Sequence, residues 1–124
     1  MAYIADEFPD FIIDYDRNEV KILGISLMDV AKDFYEPILE QVDDYIKTNP
    51  QNVTIVAKLQ YFNTSSSKYI MDIFKRFVPL KENNIDVKVL WYFDEDDESM
   101  HEAGVDFNAV IKLPFELLPQ QIRK

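Results

Sequence analysis

The chain has 124 residues, enough for one packed domain and too few for two ordinary ones, and its 48% hydrophobic and 14% aromatic content excludes a disordered chain. Thirteen Lys and Arg against 23 Asp and Glu leave a formal charge of -10, which repels phosphate backbones and anionic lipid and argues against nucleic acid or membrane as a partner. Cysteine is absent, so disulfides, thiolate nucleophiles and cysteine-based zinc sites fall away together. The start, Met1 to Glu7, carries no basic head and no apolar core of signal-peptide length, and no apolar run reaches the roughly 20 residues of a membrane span. These features predict a cytoplasmic protein.

Phe11 to Tyr15 reads as a short strand, and Val20 to Ile25 as a second. Asp16-Arg17-Asn18 between them is turn chemistry, which predicts a hairpin. Ser26-Leu27-Met28-Asp29 has the spacing of a capping box and predicts a helix start. Ala31, Phe34, Tyr35, Ile38, Val42, Tyr45 and Ile46 then form one apolar stripe, with a kink or slipped start expected at Pro37 and an end at Asn49-Pro50-Gln51-Asn52.

Val53 to Phe62 is the next strand, and its alternation places Val53, Ile55, Ala57, Leu59 and Tyr61 on one face. A second helix follows Asn63-Thr64-Ser65-Ser66-Ser67, marked by Ile70, Ile73, Phe74 and Phe77. Val87, Val89, Trp91 and Phe93 mark a strand, and an acidic stretch then leads into a short helix over Glu98 to Phe107. Ala109 to Leu117 closes as a strand that Pro114 assigns to a sheet edge. Strand and helix alternating predicts an α/β fold: one domain over residues 1–124 with a mostly parallel five-stranded sheet and an N-terminal hairpin. A sheet covered on both faces would show continuous apolar strands, whereas Lys21, Lys58, Gln60 and Lys88 interrupt these. Helices mainly on one face are therefore expected, with Phe62 and Tyr92 as candidates to line the open face.

Tyr61-Phe62-Asn63-Thr64-Ser65-Ser66-Ser67-Lys68 runs from a strand's C-terminal end into a helix, where open α/β sheets receive ligands and partners. Asn, Thr and Ser are favoured helix caps, but one cap leaves several hydroxyls unexplained. Without Gly the stretch lacks the tight nest of a phosphate loop, and the lone His101, placed on the surface of the third helix, offers no relay to a hydroxyl nucleophile. Lys68 either lies near a phosphate on this segment or is solvated.

The chain resembles the SiaC family of bacterial regulatory phosphoproteins, which have a fold like the STAS domain of anti-sigma-factor antagonists. The matching residues are Gly24, Ser26, Phe34-Tyr35-Glu36-Pro37-Ile38, Tyr61-Phe62-Asn63-Thr64-Ser65-Ser66, Lys68, Trp91-Tyr92-Phe93-Asp94, Asp96-Asp97, Gly104 and Lys112-Leu113-Pro114-Phe115, in order along almost the whole chain. The sequence departs from the family pattern at Ile25 and Leu27. The resemblance implies a non-enzymatic protein phosphorylated on Thr64 by a serine/threonine kinase and dephosphorylated by a PP2C-type phosphatase. It implies that the unphosphorylated form binds and activates a diguanylate cyclase, raising cyclic di-GMP and promoting biofilm, with Asn63, Thr64, Ser65, Ser66 and Lys68 at the partner contact. No cofactor is implied.

A variant of this reading keeps the fold and phosphosite but makes the chain an anti-sigma-factor-antagonist-like partner of a serine/threonine kinase or of an anti-sigma factor. Asp94-Glu95-Asp96-Asp97-Glu98 offers hard oxygen ligands for Ca²⁺ or Mg²⁺, and hence a metal-dependent hydrolase as a third reading, but lacks the spacing of an EF-hand loop. A solvated loop or a docking surface for a basic patch fits the stretch as well.

Overall fold

A computed structural model describes residues 7–121; the expectation that Met1 to Glu7 carries no signal-peptide features falls, but for Glu7, outside them. β1 (Asp10–Asp14) and β2 (Glu19–Ser26) pair antiparallel, from Asp10 opposite Leu23 to Asp14 opposite Glu19. The Asp14 carboxylate accepts from the backbone N–H groups of Asp16 and Arg17, and Asn18 takes a positive φ of 54° that its short polar side chain tolerates. This is the expected hairpin. There follow α1 (Ala31–Lys47), β3 (Asn52–Phe62), α2 (Thr64–Lys75), a single turn α3 (Val78–Glu82), β4 (Asp86–Asp94), α4 (Glu98–Val110) and β5 (Phe115–Gln120).

The five strands lie in the order β1-β2-β3-β4-β5, and every pair after the hairpin is parallel. Each crossover steps one strand in the same direction, so the right-handed rule brings the successive helices to one face. Burial agrees with that layout. Val53, Ile55, Ala57 and Leu59 are buried beneath the helices, while Thr54 and Val56 are half-buried and Lys58 and Gln60 exposed on the other face. Tyr92 lines that open face as expected, with Lys58 Nζ 5.4 Å from its ring centroid. The core gathers Tyr35, Val42 and Tyr45 of α1, Ile70, Ile73 and Phe74 of α2, and Val87, Val89 and Trp91 of β4 in one cluster.

Four sequence expectations require correction. Ser26 does not cap a helix: it is the last residue of β2, fully buried, and α1 starts only at Ala31, with Val30 at the cap position and no side-chain cap. The strand simply runs longer than the hydroxyl suggested, and the start is slipped. The helix then continues through Pro37, which lies in its second turn, to Lys47.

Tyr61 does not join the core. The β2–β3 register shifts after Gly24, which sits opposite Leu59, so that Ile25 faces Tyr61 and Gln60 becomes an extra residue. Such a bulge reverses the alternation beyond it. Tyr61 is therefore turned outward, 53% exposed. Phe62 turns inward instead of lining the open face, its ring centroid 6.0 Å from Phe107 and 6.4 Å from Trp91. Gly24 holds φ 104°, a conformation closed to residues with a Cβ, at the point where the slip occurs.

The closing strand covers Phe115–Gln120 rather than Ala109 to Leu117, because α4 extends to Val110 and buried Ile111 and Leu113 fill the connection. Strand β5 does lie at the sheet edge, but the proline within it is Pro119, opposite Phe93.

Candidate functional site

The strand β3 and helix α2 join through Asn63 alone. Its backbone is extended, with φ -90° and ψ 176°, and its Oδ1 accepts from the Ser66 backbone N–H at 3.0 Å, so Asn63 is the helix cap. Its Nδ2 donates to the Met28 carbonyl at 3.1 Å, and its backbone N–H to the Ser26 carbonyl at 3.0 Å. One residue thus fastens the start of α2 to the end of β2 and the β2–α1 connection.

The hydroxyls that follow divide sharply. Thr64 and Ser65 are exposed in the first turn of α2, Ser67 is half-buried, and Ser66 is fully buried. The Ser66 Oγ lies 2.7 Å from the Ser26 Oγ, which lies 2.6 Å from the Tyr35 hydroxyl, and Ser66 Oγ is 3.2 Å from the Ser26 carbonyl. One proton per hydroxyl closes this set: Tyr35 donates to Ser26, Ser26 to Ser66, and Ser66 to the carbonyl. The Met28 sulfur, 3.4 Å from Ser66 Oγ and 3.6 Å from Ser26 Oγ, walls it in. Burial pushes the Tyr35 hydroxyl above its ordinary pKa, against the opposing pull of the Ser26 and Ser66 hydrogen bonds. The network is therefore neutral, a fastening between β2, α1 and α2.

Lys68 is exposed one turn into α2 and lines a shallow open groove of about 310 Å³ with Asp29, Val30, Ala31, Lys32, Ser65 and Tyr69. Of the five residues expected at a partner contact, the structure brings Asn63, Thr64, Ser65 and Lys68 to one end of the sheet at or near the surface. It keeps Ser66 inside. Ser26 and Tyr35 were not singled out as site residues by local pattern; the signal was the parity of Ser26 with Val20 and Ile22, which aims its hydroxyl into the core.

Three of the five acidic side chains of residues 94–98 have hydrogen-bond partners within the fold. Asp94 Oδ1 accepts from the Asp96 N–H at 2.9 Å, Asp97 Oδ1 caps α4 through the Met100 N–H at 3.0 Å, and Glu95 accepts from the Gln121 side chain at 2.9 Å. Among the described residues no group of three or more His, Asp or Glu side chains is placed to share a metal ion. His101 is exposed on α4, its ring centroid 4.9 Å from that of Phe93. No helix of the described residues is long and apolar enough to cross a membrane.

A family model described as SiaC family regulatory phosphoprotein matches residues 5–120. The chain belongs to the SiaC family. A curated relative, an uncharacterized protein of Pseudomonas aeruginosa strain UCBPP-PA14, is 21% identical over 104 residues, covering 84% of this chain and 82% of its own. The fold matches a crystal structure of the diguanylate cyclase SiaD in complex with its activator SiaC from Pseudomonas aeruginosa, with a TM-score of 0.84 at 21% identity, over 93% of this chain and 94% of that one. The crystal structure of apo-SiaC from Pseudomonas aeruginosa gives 0.81 at 20% identity, over 91% and 92%. The mixed five-stranded sheet with its single antiparallel pair is thus the fold of the SiaC family, and the chain is a regulatory phosphoprotein by its family.

Proposed function

We propose that this SiaC-family chain is a non-enzymatic, cytoplasmic signalling protein whose Thr64 is the phosphorylated residue, and that its unphosphorylated form binds and activates a diguanylate cyclase. A serine/threonine kinase adds the phosphate and a PP2C-type phosphatase removes it. The contact is made by Asn63, Thr64, Ser65 and Lys68, with Ser66 acting from beneath. One observation carries this reading: within the hydroxyl run Ser66 is locked in the core, and Thr64 stands exposed at the first position of a capped helix. The partner class follows from a structural neighbour, SiaC of Pseudomonas aeruginosa, which is the activator of the diguanylate cyclase SiaD and crystallises in complex with it.

A phosphate brings roughly -1.5 to -2 charges and three strong acceptor oxygens. At a helix N-terminus the orphan N–H groups and the dipole tolerate that charge, so the domain keeps its fold. A partner surface shaped for a neutral hydroxyl then meets an anion on an already acidic protein. Loss of about 1.4 kcal/mol of binding is tenfold in affinity. The switch is therefore occlusion by charge.

The test is phosphopeptide mapping in the native host with the PP2C-type phosphatase inactivated. Trypsin releases Leu59 to Lys68 as one peptide, and fragmentation separates Thr64 from its serines. Phosphate on Thr64, with a cyclase captured and activated by Thr64→Ala but not by Thr64→Asp, is the expected result. A well-covered, unmodified peptide overturns it.

A further inference from the structure

Among the described residues seven large hydrophobic side chains are exposed, and three of them, Leu27 (39%), Val30 (63%) and Tyr61 (53%), lie in the two segments that meet at Thr64. Leu27 and Val30 belong to the β2–α1 connection and Tyr61 to the end of β3. Asn63 ties the two segments together through the Ser26 and Met28 carbonyls. Single exposed hydrophobes need no explanation, whereas their gathering at one end of a sheet marks an interaction surface. Of the three, Val30 lines the groove between the start of α1 and the first turns of α2. Its two lysines, Lys32 and Lys68, are exposed, and among the described residues neither is paired with a carboxylate. Against them stands one groove carboxylate, Asp29. A chain of charge -10 thus carries a locally cationic, apolar-walled groove next to Thr64.

We infer that this groove and its apolar rim receive an acidic, apolar segment of the regulated enzyme, with carboxylates over Lys32 and Lys68 and apolar side chains against Val30 and Tyr69. Charge complementarity selects that occupant, since a basic segment would be set against both lysines and a wholly apolar one would strip them of water without a partner. Salt screens the rest of the acidic surface beyond about 8 Å, so the sign of the groove governs the contact itself. The inference rests on the reading of Thr64 as the switch, and deepens it. A phosphate on Thr64, the chain neighbour of the groove residue Ser65 and one helical turn before Lys68, competes with the partner's carboxylates for the same lysines.

The probe is the purified diguanylate cyclase that the unmodified chain activates, titrated by calorimetry. The pair Lys32→Glu and Lys68→Glu together, and Val30→Asp separately, are each expected to weaken binding at least about tenfold. The unmodified complex weakens as salt rises, and the double lysine variant loses most of that dependence. Val110→Asp, at an equally exposed valine at the end of α4, is expected to bind as the unmodified chain does. Thermal unfolding of each variant separates lost contact from lost fold, since all four positions are exposed. Groove variants that bind normally, while Thr64→Asp still releases the cyclase, overturn the groove and leave the switch standing. Tighter binding of the lysine variant means a basic occupant, and loss with the lysines but not with Val30→Asp means an anion alone; either overturns the inference. A chain that activates no cyclase, or binds one regardless of Thr64→Asp, overturns the switch and the groove together.

Discussion

The hydroxyls of Ser26 and Ser66, forty residues apart in the chain, meet at 2.7 Å in a site closed to solvent. Beyond this network the only acceptor within reach of either hydroxyl, among the described residues, is the weak Met28 sulfur, so each substitution leaves a poorly satisfied partner. Ser66→Ala removes the acceptor of the Ser26 proton and the donor to the Ser26 carbonyl. A buried donor or acceptor left unmade costs about 1–3 kcal/mol. The expected outcome is a loss of stability in that range for Ser66→Ala, read from urea unfolding with an unchanged slope. Ser66→Asp places a charge in the same cavity and is expected to cost more, while Thr64→Asp and Ser65→Asp, both exposed, stay within about 0.5 kcal/mol of the parent.

Asn63 holds two jobs that substitutions separate. Asn63→Ala loses the cap and the donor to the Met28 carbonyl, and caps of this kind contribute about 1 kcal/mol. Asn63→Asp keeps an acceptor for the Ser66 N–H, and its charge suits the helix N-terminus, but it sets an oxygen against the Met28 carbonyl. Its stability is expected to fall between Asn63→Ala and the parent. Hydrogen exchange at the Ser66 amide checks the mechanism: it accelerates strongly in Asn63→Ala and little in Asn63→Asp.

What the sequence made legible was whatever repeats along the chain. The alternation of Val53, Ile55, Ala57 and Leu59 and the stripe of Tyr35, Ile38, Val42 and Tyr45 assign elements, faces and a parallel order, because each pattern is the sum of many residues. What it hid was set by single contacts. Nothing local says that Gln60 is an extra residue, yet that slip sends Tyr61 outward and Phe62 inward. Ser26 followed by Asp29 satisfies a capping pattern, and it is the strand parity with Val20 and Ile22, sealed by the contact with Ser66 of α2, that makes it a buried strand end. The hydroxyl run stood out by composition; which of its hydroxyls face water did not. That division depends on the helical phase fixed by the Asn63 cap, which puts Ser66 beneath and Thr64 above.

Gly104 is a packing requirement rather than a hinge. A Cβ there would stand 2.6 Å from Trp91 Cδ1 and Nε1 and 2.9 Å from Leu117 Cδ2. The indole has little room to give way, since its Nε1 donates to the Met100 carbonyl at 3.0 Å and its rings pack edge-on to Phe107. Ala gains about 1 kcal/mol over Gly in helix propensity, and overpacking costs about 1–3 kcal/mol. The clash is expected to win. Gly104→Ala should lower the urea midpoint and shift the emission of Trp91, the single tryptophan, at constant far-ultraviolet dichroism.

Tyr45 makes the fold sensitive to alkali. Burial, and secondarily the neighbouring Tyr15 hydroxyl, push its pKa up to about 12, and its hydroxyl donates to Asn18 Oδ1 at 2.8 Å. In the unfolded chain a tyrosine ionises near pH 10. Between these values the unfolded state has released the proton while the native state still holds it, so the unfolded state binds fewer protons and stability falls as pH rises. The contribution is complete below pH 10 and is lost as pH climbs toward 12. Tyr45→Phe removes the titrating group together with its hydrogen bond to Asn18. The expected result is a variant less stable than the parent near pH 8, whose urea midpoint declines less steeply between pH 9.5 and 11.5. Parallel declines for the two proteins would assign the alkaline loss to other tyrosines and lysines. Tyr35, whose hydroxyl is also raised by burial, gives the companion measurement: Tyr35→Phe opens the Ser26 network as well, so its alkaline flattening comes with weakened fastening of α2, visible as faster exchange at Ser66.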